Sequence, residues 1–381
     1  MAATERPAGR TAAACGSLVA AALALPGAAS AQLGPGPGQV SFRWLDYSDR
    51  QPGFDRIRVR SPSVLVALPV SERWGVEAGY TADSVSGASP RWHTSVSSAS
   101  QMSDHRRAGD VRVTRYSDRA AYSLGMAASD ENDFDSRAVS LQATWNSDDN
   151  NRSWDAAAAF TIDRVGSVND PLLDESRRTF AVTAGVTQAL SRTDLVQVGL
   201  TWSRGRGYYS DPYKFIDIRP ESRDQTILVL RWNHHFDSTG VTLRTNWRGY
   251  RDTFGIRSQT LTFEPAFEVS ERFTVMPSLR LYTQSAADFY YDPVYSYVGA
   301  PYPPGWFEAP PAYLSPDQRL AAFGAVAVGI KFIARIDELW TIDFRIEGYE
   351  QRTSWHVGGS GSPGLEPLAA TFLQVGISRR F

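Results

Sequence analysis

Cysteine, lysine and long apolar runs are all scarce in this chain. Of 381 residues one is cysteine, Cys15, and of 39 basic residues only Lys214 and Lys331 are lysine. If the N-terminal segment carrying Cys15 is removed, the remaining chain has no thiol and no disulfide. That suits passage through an oxidising compartment without staples. A formal net charge of -2 excludes a strongly basic nucleic-acid binder. With 42% hydrophobic and 12% aromatic residues, the chain is too apolar to be disordered. After the N-terminal segment no stretch approaches the ~18 uninterrupted apolar residues of a membrane helix. A mean hydropathy of -0.31 fits that exclusion.

Residues 1–31 read as an address. Arg6 and Arg10 precede an apolar run from Leu18 to Leu25, Pro26 breaks it, and Ala29-Ser30-Ala31 matches a small-x-small cleavage pattern. Cys15 lies ahead of the apolar core, which argues against a lipoprotein anchor. The expectation is an exported chain cleaved near Ala31, with residues 32–381 forming one domain.

What the rest of the chain has in abundance is alternation. Val196, Val198, Leu200 and Trp202 alternate with Gln197, Gly199, Thr201 and Ser203; Trp340, Ile342, Phe344 and Ile346 alternate with Thr341, Asp343, Arg345 and Glu347. A period of two is the mark of strands with one apolar and one polar face. The pattern predicts sixteen strands, near 39–48, 54–68, 74–85, 109–117, 119–129, 136–146, 153–165, 178–189, 194–204, 225–236, 240–251, 255–268, 272–285, 317–333, 338–350 and 367–381. Strands of soluble proteins average about five or six residues, whereas a tilted bilayer crossing needs ~9–11. The fold class expected is all-β, a transmembrane antiparallel up-and-down barrel of about 16 strands.

The connections sort by parity. Even-numbered links such as Pro69–Arg73, Leu190–Thr193 and Val269–Arg272 are turn-like, while the long ones, 86–108, 166–177, 205–224, 286–316 and 351–366, are all odd. Short turns at one end and long loops at the other is the arrangement of outer-membrane barrels, with the turns periplasmic. The last strand closes on an aromatic terminus, Phe381, which is expected to engage the barrel-assembly machinery.

In this register the polar face lines a wide, wet interior. Arg43, Arg58, Glu77, Asp155, Asp163, Arg244, Arg248, Glu264, Arg280, Asp343, Arg345 and Glu347 fall on it, and the mixed signs argue against strong ion selectivity. The apolar parity changes between Ile57/Val59 and Val64/Val66/Leu68, so a bulge is expected near Ser61-Pro62-Ser63.

Several blocks carry a resemblance: Ser84–Arg91, Ala108–Tyr116, Asp194–Lys214, Arg231–Phe236, Tyr250–Arg257 and Gly358–Phe381. Together they resemble a proteobacterial outer-membrane β-barrel family classified only as a domain of unknown function. The resemblance spans nearly the whole chain after residue 31. It implies fold and location, a Gram-negative outer membrane, and a periplasmic redox neighbourhood, with no established activity.

Little in the sequence points to catalysis. The run Gly358-Gly359-Ser360-Gly361-Ser362-Pro363-Gly364 has Ser362 where a nucleophile elbow requires glycine, and it reads as a loop. His234 and His235 are neighbours on a strand and point to opposite faces, so they do not share a metal; His93, His105 and His356 fall on outer loops. Asp130–Asp135 lacks the glycine and closing glutamate of a calcium loop. Two loops are richer. Arg204, Arg206, Tyr208 and Tyr209 mix guanidinium and aromatic groups suited to phosphate or a sugar ring. Residues 289–316 gather Tyr, Phe and Pro around Trp306, and a loop of that length is uncommon without a function. It is expected to fold into the mouth or rest against lipopolysaccharide.

The leading expectation is a porin-like channel for small solutes, without cofactor, metal or nucleic acid, in contact with outer-membrane lipid and lipopolysaccharide. A closed barrel serving as a docking platform for periplasmic or surface proteins is the alternative. An outer-membrane hydrolase ranks third, because no triad spacing occurs.

Overall fold

The computed structural model describes residues 34–88, 101–214, 216–292 and 309–381. Residues 1–31, expected to be removed, His93 and Trp306 lie outside them. Sixteen antiparallel strands close into one barrel, each bonded to its sequence neighbours and the last to the first. They are β1 (Gln39–Gln51), β2 (Phe54–Ser71), β3 (Trp74–Ala88), β4 (Gln101–Tyr116), β5 (Ala120–Asp130), β6 (Phe134–Asn146), β7 (Arg152–Val165) and β8 (Glu175–Ala189). The second half comprises β9 (Asp194–Gly207), β10 (Ser222–Phe236), β11 (Val241–Asp252), β12 (Arg257–Ser270), β13 (Phe273–Gln284), β14 (Phe323–Arg335), β15 (Trp340–Arg352) and β16 (Leu368–Arg380).

Closure explains why so polar a sequence spans a membrane. Every strand edge is paired, so no backbone amide faces hydrocarbon unsatisfied. Phe42, Trp44, Tyr80, Val111, Leu141, Phe160, Leu200, Leu230 and Val328 are exposed and fall on one face of their strands; that face is the outer surface. Trp74, Trp145, Trp154, Trp232, Trp340 and Phe381 ring it at the short-turn end, as an interfacial aromatic girdle does. Arginines lie across three of these rings, Arg115 over Trp74, Arg152 over Trp154 and Arg379 over Trp340, at 5.5–6.0 Å.

The seam joins Gln39↔Arg380 through Arg50↔Ala369. Beyond it the Phe381 amide donates to the Gly38 carbonyl at 2.9 Å, and the Phe381 ring lies where a Gly38 Cβ would stand, 2.5 Å from the ideal position. A Gly38→Val variant is therefore expected to push the ring away and loosen the seam. It should lower the temperature at which the folded band is lost in a heat-modifiable gel shift, whereas Gly53→Asn, in an open turn at φ +84°, should not.

Strand boundaries differ from the expectation at the long-loop end. β4 begins at Gln101, not 109, and β9 runs to Gly207, not 204, while 317–322 precede β14 as loop with a 3-10 turn, Gln318–Leu320. The strands continue, paired, beyond the apolar belt, and there their outward positions carry charge, so hydrophobic alternation ends before the ladder does.

The same overshoot corrects the register of β2. No bulge occurs at Ser61-Pro62-Ser63; the pairing of β1 with β2 is regular from Gln39↔Ala67 to Asp49↔Ile57, and the shift falls at Asp49/Arg50. Val59 therefore points inward, 4% exposed, opposite Tyr47. Arg58 points outward instead of into the lumen, ion-paired to Asp46 at 2.7 Å and half exposed.

Candidate functional site

The inner surface has two unlike walls. On β5–β9 it is built of small residues: Ser136, Ser140, Ala159, Thr161, Ala181, Thr183, Gln197 and Ser203 are all buried. Hydroxyls link them across strands, Thr183 to Thr201 at 2.8 Å and Ser136 to Asp163 at 2.6 Å. Where this wall meets β10, Arg231 donates to its cross-strand neighbour Gln197 at 2.8 Å.

On β10–β15 the inner wall is basic and ionic. Arg244, Arg248, Glu264, Arg280, Asp343, Arg345 and Glu347 all take inward positions, as does Arg43 on β1. Glu347 receives Arg280 at 2.8 Å and Arg345 at 2.7 Å, and Arg345 stands 4.0 Å from Glu264. Among the described residues Arg43, Arg231 and Arg248 have no ion pair. Arg43 Nε, Asp155 Oδ2, Asp343 Oδ1, Gln197 Nε2 and Gln374 Nε2 are buried and find no hydrogen-bond partner within the protein. Buried polar atoms of this kind are ordinarily satisfied by water, which marks the inner wall as a hydrated surface.

At the long-loop end, loops form a lid against the inner wall. The described parts of three loops, 208–214 with 216–221, 285–292 with 309–322, and 353–367, bind one another at this end of β9–β16. Ile218 and Leu314 exchange backbone hydrogen bonds at 2.8 and 2.9 Å. Ser362 is bonded to Ala322 through both its amide, at 2.9 Å, and its hydroxyl, at 2.8 Å. Aromatic rings carry the lid inward: Tyr209 packs on Phe254 at 5.6 Å, and Phe254 on Phe289 at 5.0 Å. Arg177 and Arg223, both on the inner wall, lie over Tyr209 and Phe254 at 5.0 and 4.5 Å. Leu365 joins Phe323, Tyr282 and Tyr349.

The loops are locked by an ion-pair cluster. Asp317, fully buried, receives Arg219 at 2.6 Å and both Arg319 Nε contacts, at 2.8 and 3.0 Å. Arg319 continues to Asp211 and Arg219 to Asp217. Burial opposes charge on Asp317, but Arg319, Lys214 and Arg219 outweigh it and hold its carboxyl below the usual range. Burial pushes the Asp217 carboxyl up and the Lys214 ammonium down. Asp211, Asp217 and Asp317 bring oxygens within 4.8 Å of one another, as a cation site would. Three cationic side chains already neutralise them, so this is a latch that ties Asp211, Asp217 and Arg219 to Asp317 and Arg319.

Of the loop residues read from the sequence, Tyr209 enters the mouth and Tyr208 stays on the loop. Arg204 and Arg206 do neither: they belong to β9, on its outward face, where Arg204 is paired with Asp224 at 3.2 Å. Their place beyond the apolar belt explains the error, since the strand outlasts its hydrophobic signal. His105 likewise sits on β4 and not on a loop. His234 and His235 do take opposite faces, bonded to Asp194 and Thr242 respectively. The sequence signal for the latch is the dense alternation of Asp211, Lys214, Asp217 and Arg219, which periodicity does not single out.

A closed antiparallel barrel of sixteen strands, apolar outside and polar within, is a membrane barrel of the outer-membrane class. The chain belongs to the family described as protein of unknown function, DUF3570, whose model matches residues 15–104 and 94–372. No protein of curated function matches it in sequence. Among solved structures it is similar in fold to a bacterial polysaccharide outer membrane secretin, at TM-score 0.51 and 10% identity over 90% of this chain and 98% of that one. It is similar also to CdiB from Acinetobacter baumannii, at TM-score 0.50 and 8% identity over 89% of this chain. The siderophore receptor PirA from Pseudomonas aeruginosa aligns at TM-score 0.48 and 11% identity over 89% of this chain. The chain spans 60% of CdiB and 62% of PirA.

Proposed function

We propose that the protein is exported on removal of residues 1–31, is inserted in the outer membrane through its C-terminal strand ending at Phe381, and acts there as a channel for small solutes, without catalysis. One observation carries this reading: the inner wall holds buried polar atoms with no hydrogen-bond partner in the protein, Arg43 Nε among them, which water or a passing solute would satisfy. The latched lid makes it a channel with a restricted mouth.

The test is single-channel recording of the refolded protein in a planar bilayer, as the full chain and with residues 309–316 excised. The excised form is expected to give steps of porin size and the full chain smaller or rarer ones. Silence from both, with folding shown by gel mobility, would remove the channel reading and favour a docking platform.

The ionic wall also sets a sign. Arg43, Arg231 and Arg248 lack carboxylate partners, so a KCl gradient is expected to give a modest reversal potential on the anion-preferring side. Neutralising Arg231 and Arg248 to Gln should bring it toward zero; an unchanged potential would show that the passage avoids this wall.

A further inference from the structure

The outer surface carries two places where arginines stand directly opposite each other on neighbouring strands, Arg178↔Arg206 and Arg251↔Arg257. Like charges in cross-strand register repel. Among the described residues none of these four guanidinium groups has an ion pair or a side-chain hydrogen bond. The short-turn end manages its outward arginines differently, laying them over tryptophans.

The second pair differs from the first in what lies beneath it. Arg251 and Arg257 form the lip of a groove of about 630 Å³ in the outward surface of β9–β13. Its floor is apolar: Leu200, Leu228 and Trp247, with the Trp247 ring laid across Gly249, where a Cβ would come within 2.8 Å of it. Loop residues 356–358 overhang the far side, fixed by the Val357 amide donating to Thr283 Oγ1 at 3.0 Å. Val357 is 73% exposed. Above the lip, the surface turns polar and includes Asp252 and Asp288. Asp252 is already taken by Arg223 and Tyr250 on the inner side.

We propose that this groove holds one phosphorylated lipid of the membrane leaflet at the long-loop end, its phosphate bridging Arg251 and Arg257 and an acyl chain lying on Leu228, Trp247 and Gly249. A phosphate oxyanion accepts forked hydrogen bonds from two guanidinium groups, which turns the repulsion of the pair into a binding site. The apolar floor requires a chain attached to that phosphate. A free phosphate ion would leave the floor exposed, and an uncharged lipid would leave the arginines unpaired. The site lies outside the lumen and stands whether or not the barrel conducts.

Native mass spectrometry of the refolded barrel in detergent tests the assignment, with bisphosphorylated lipid A as probe and dephosphorylated lipid A and inorganic phosphate as the other arms. The wild type is expected to retain one lipid A, and R251Q/R257Q to retain at least tenfold less. R178Q/R206Q, which removes the same charge away from this groove, should retain the wild-type amount. Each variant is first shown to be folded by heat-modifiable mobility. Inorganic phosphate at millimolar concentration is expected not to displace the lipid. Equal retention by R251Q/R257Q, equal losses in both double variants, equal retention of the dephosphorylated lipid, or displacement by inorganic phosphate would each overturn the proposal.

Discussion

Replacing Asp317 by asparagine is expected to open the mouth of the barrel. The variant keeps the shape of the side chain and its cap on the Arg319 amide at 3.0 Å, but it removes the charge that Arg219 and Arg319 share. Lys214, Arg219 and Arg319 then face only Asp211 and Asp217, one of which burial already pushes toward its neutral form. Charge-assisted hydrogen bonds contribute roughly 1.5–3 kcal/mol each, so losing about 3 kcal/mol of latch shifts the open-to-closed ratio by roughly a hundredfold. In single-channel records the D317N protein should open frequently where the wild type opens rarely. Because Asp317 is fully buried, raising KCl should not mimic the substitution. A D317N trace indistinguishable from wild type would mean that the aromatic contacts alone hold the lid.

Arg177→Met is expected to have the largest effect on stability. Asp163 is fully buried, receives Arg177 at 2.7 and 2.9 Å and Ser136 at 2.6 Å, and sits in a wall of small residues with no other cation. Removing one partner of a buried pair typically costs about 3–5 kcal/mol, because the remaining charge is stranded. Urea unfolding in vesicles should show that loss for R177M. The double variant D163N/R177M should lose less than R177M alone if stranding is the cause. Arg177 also lies over Tyr209, so R177M should loosen the lid as well, whereas Ser136→Ala should cost stability without changing conductance. Additive losses in the double variant would show that the pair is not coupled.

The two walls of the lumen have different origins in the sequence. Arg244, Glu264, Arg280, Arg345 and Glu347 are legible there because they interrupt strongly apolar strands at every second position. The opposite wall is mostly of Ser, Thr, Ala and Gly, which by themselves mark neither face, so its inward side is legible only through Asp155 and Asp163 and through the apolar residues that alternate with it, such as Val198, Leu200 and Trp202. Val59 shows the limit from the other direction. An apolar residue in the lumen is indistinguishable by period from one facing lipid, and its neighbour Arg58 was assigned the wrong face for that reason.

Arg204 and Arg206 failed for a related cause. Hydrophobic alternation reports where the hydrocarbon is, not where the strand ends. Beyond the belt the ladder continues because paired backbone is stable in any solvent, and outward positions there carry arginine. That overshoot produced both the misplaced loop residues and the Arg251↔Arg257 pair, whose members are six positions apart but adjacent only once the turn 253–256 sets the register.

By itself the sequence determined the class of fold, the number of strands and the parity of the loops. Each of these is written in local periodicity, and closure of a barrel leaves no other way to satisfy sixteen amphipathic strands in a membrane. Only the tertiary structure decided what the loops do. Asp317 meets Arg219 across 98 positions of chain, and Arg177 meets Tyr209 across a strand and a turn. Such contacts depend on how loops fold back over the mouth, which no short-range pattern encodes.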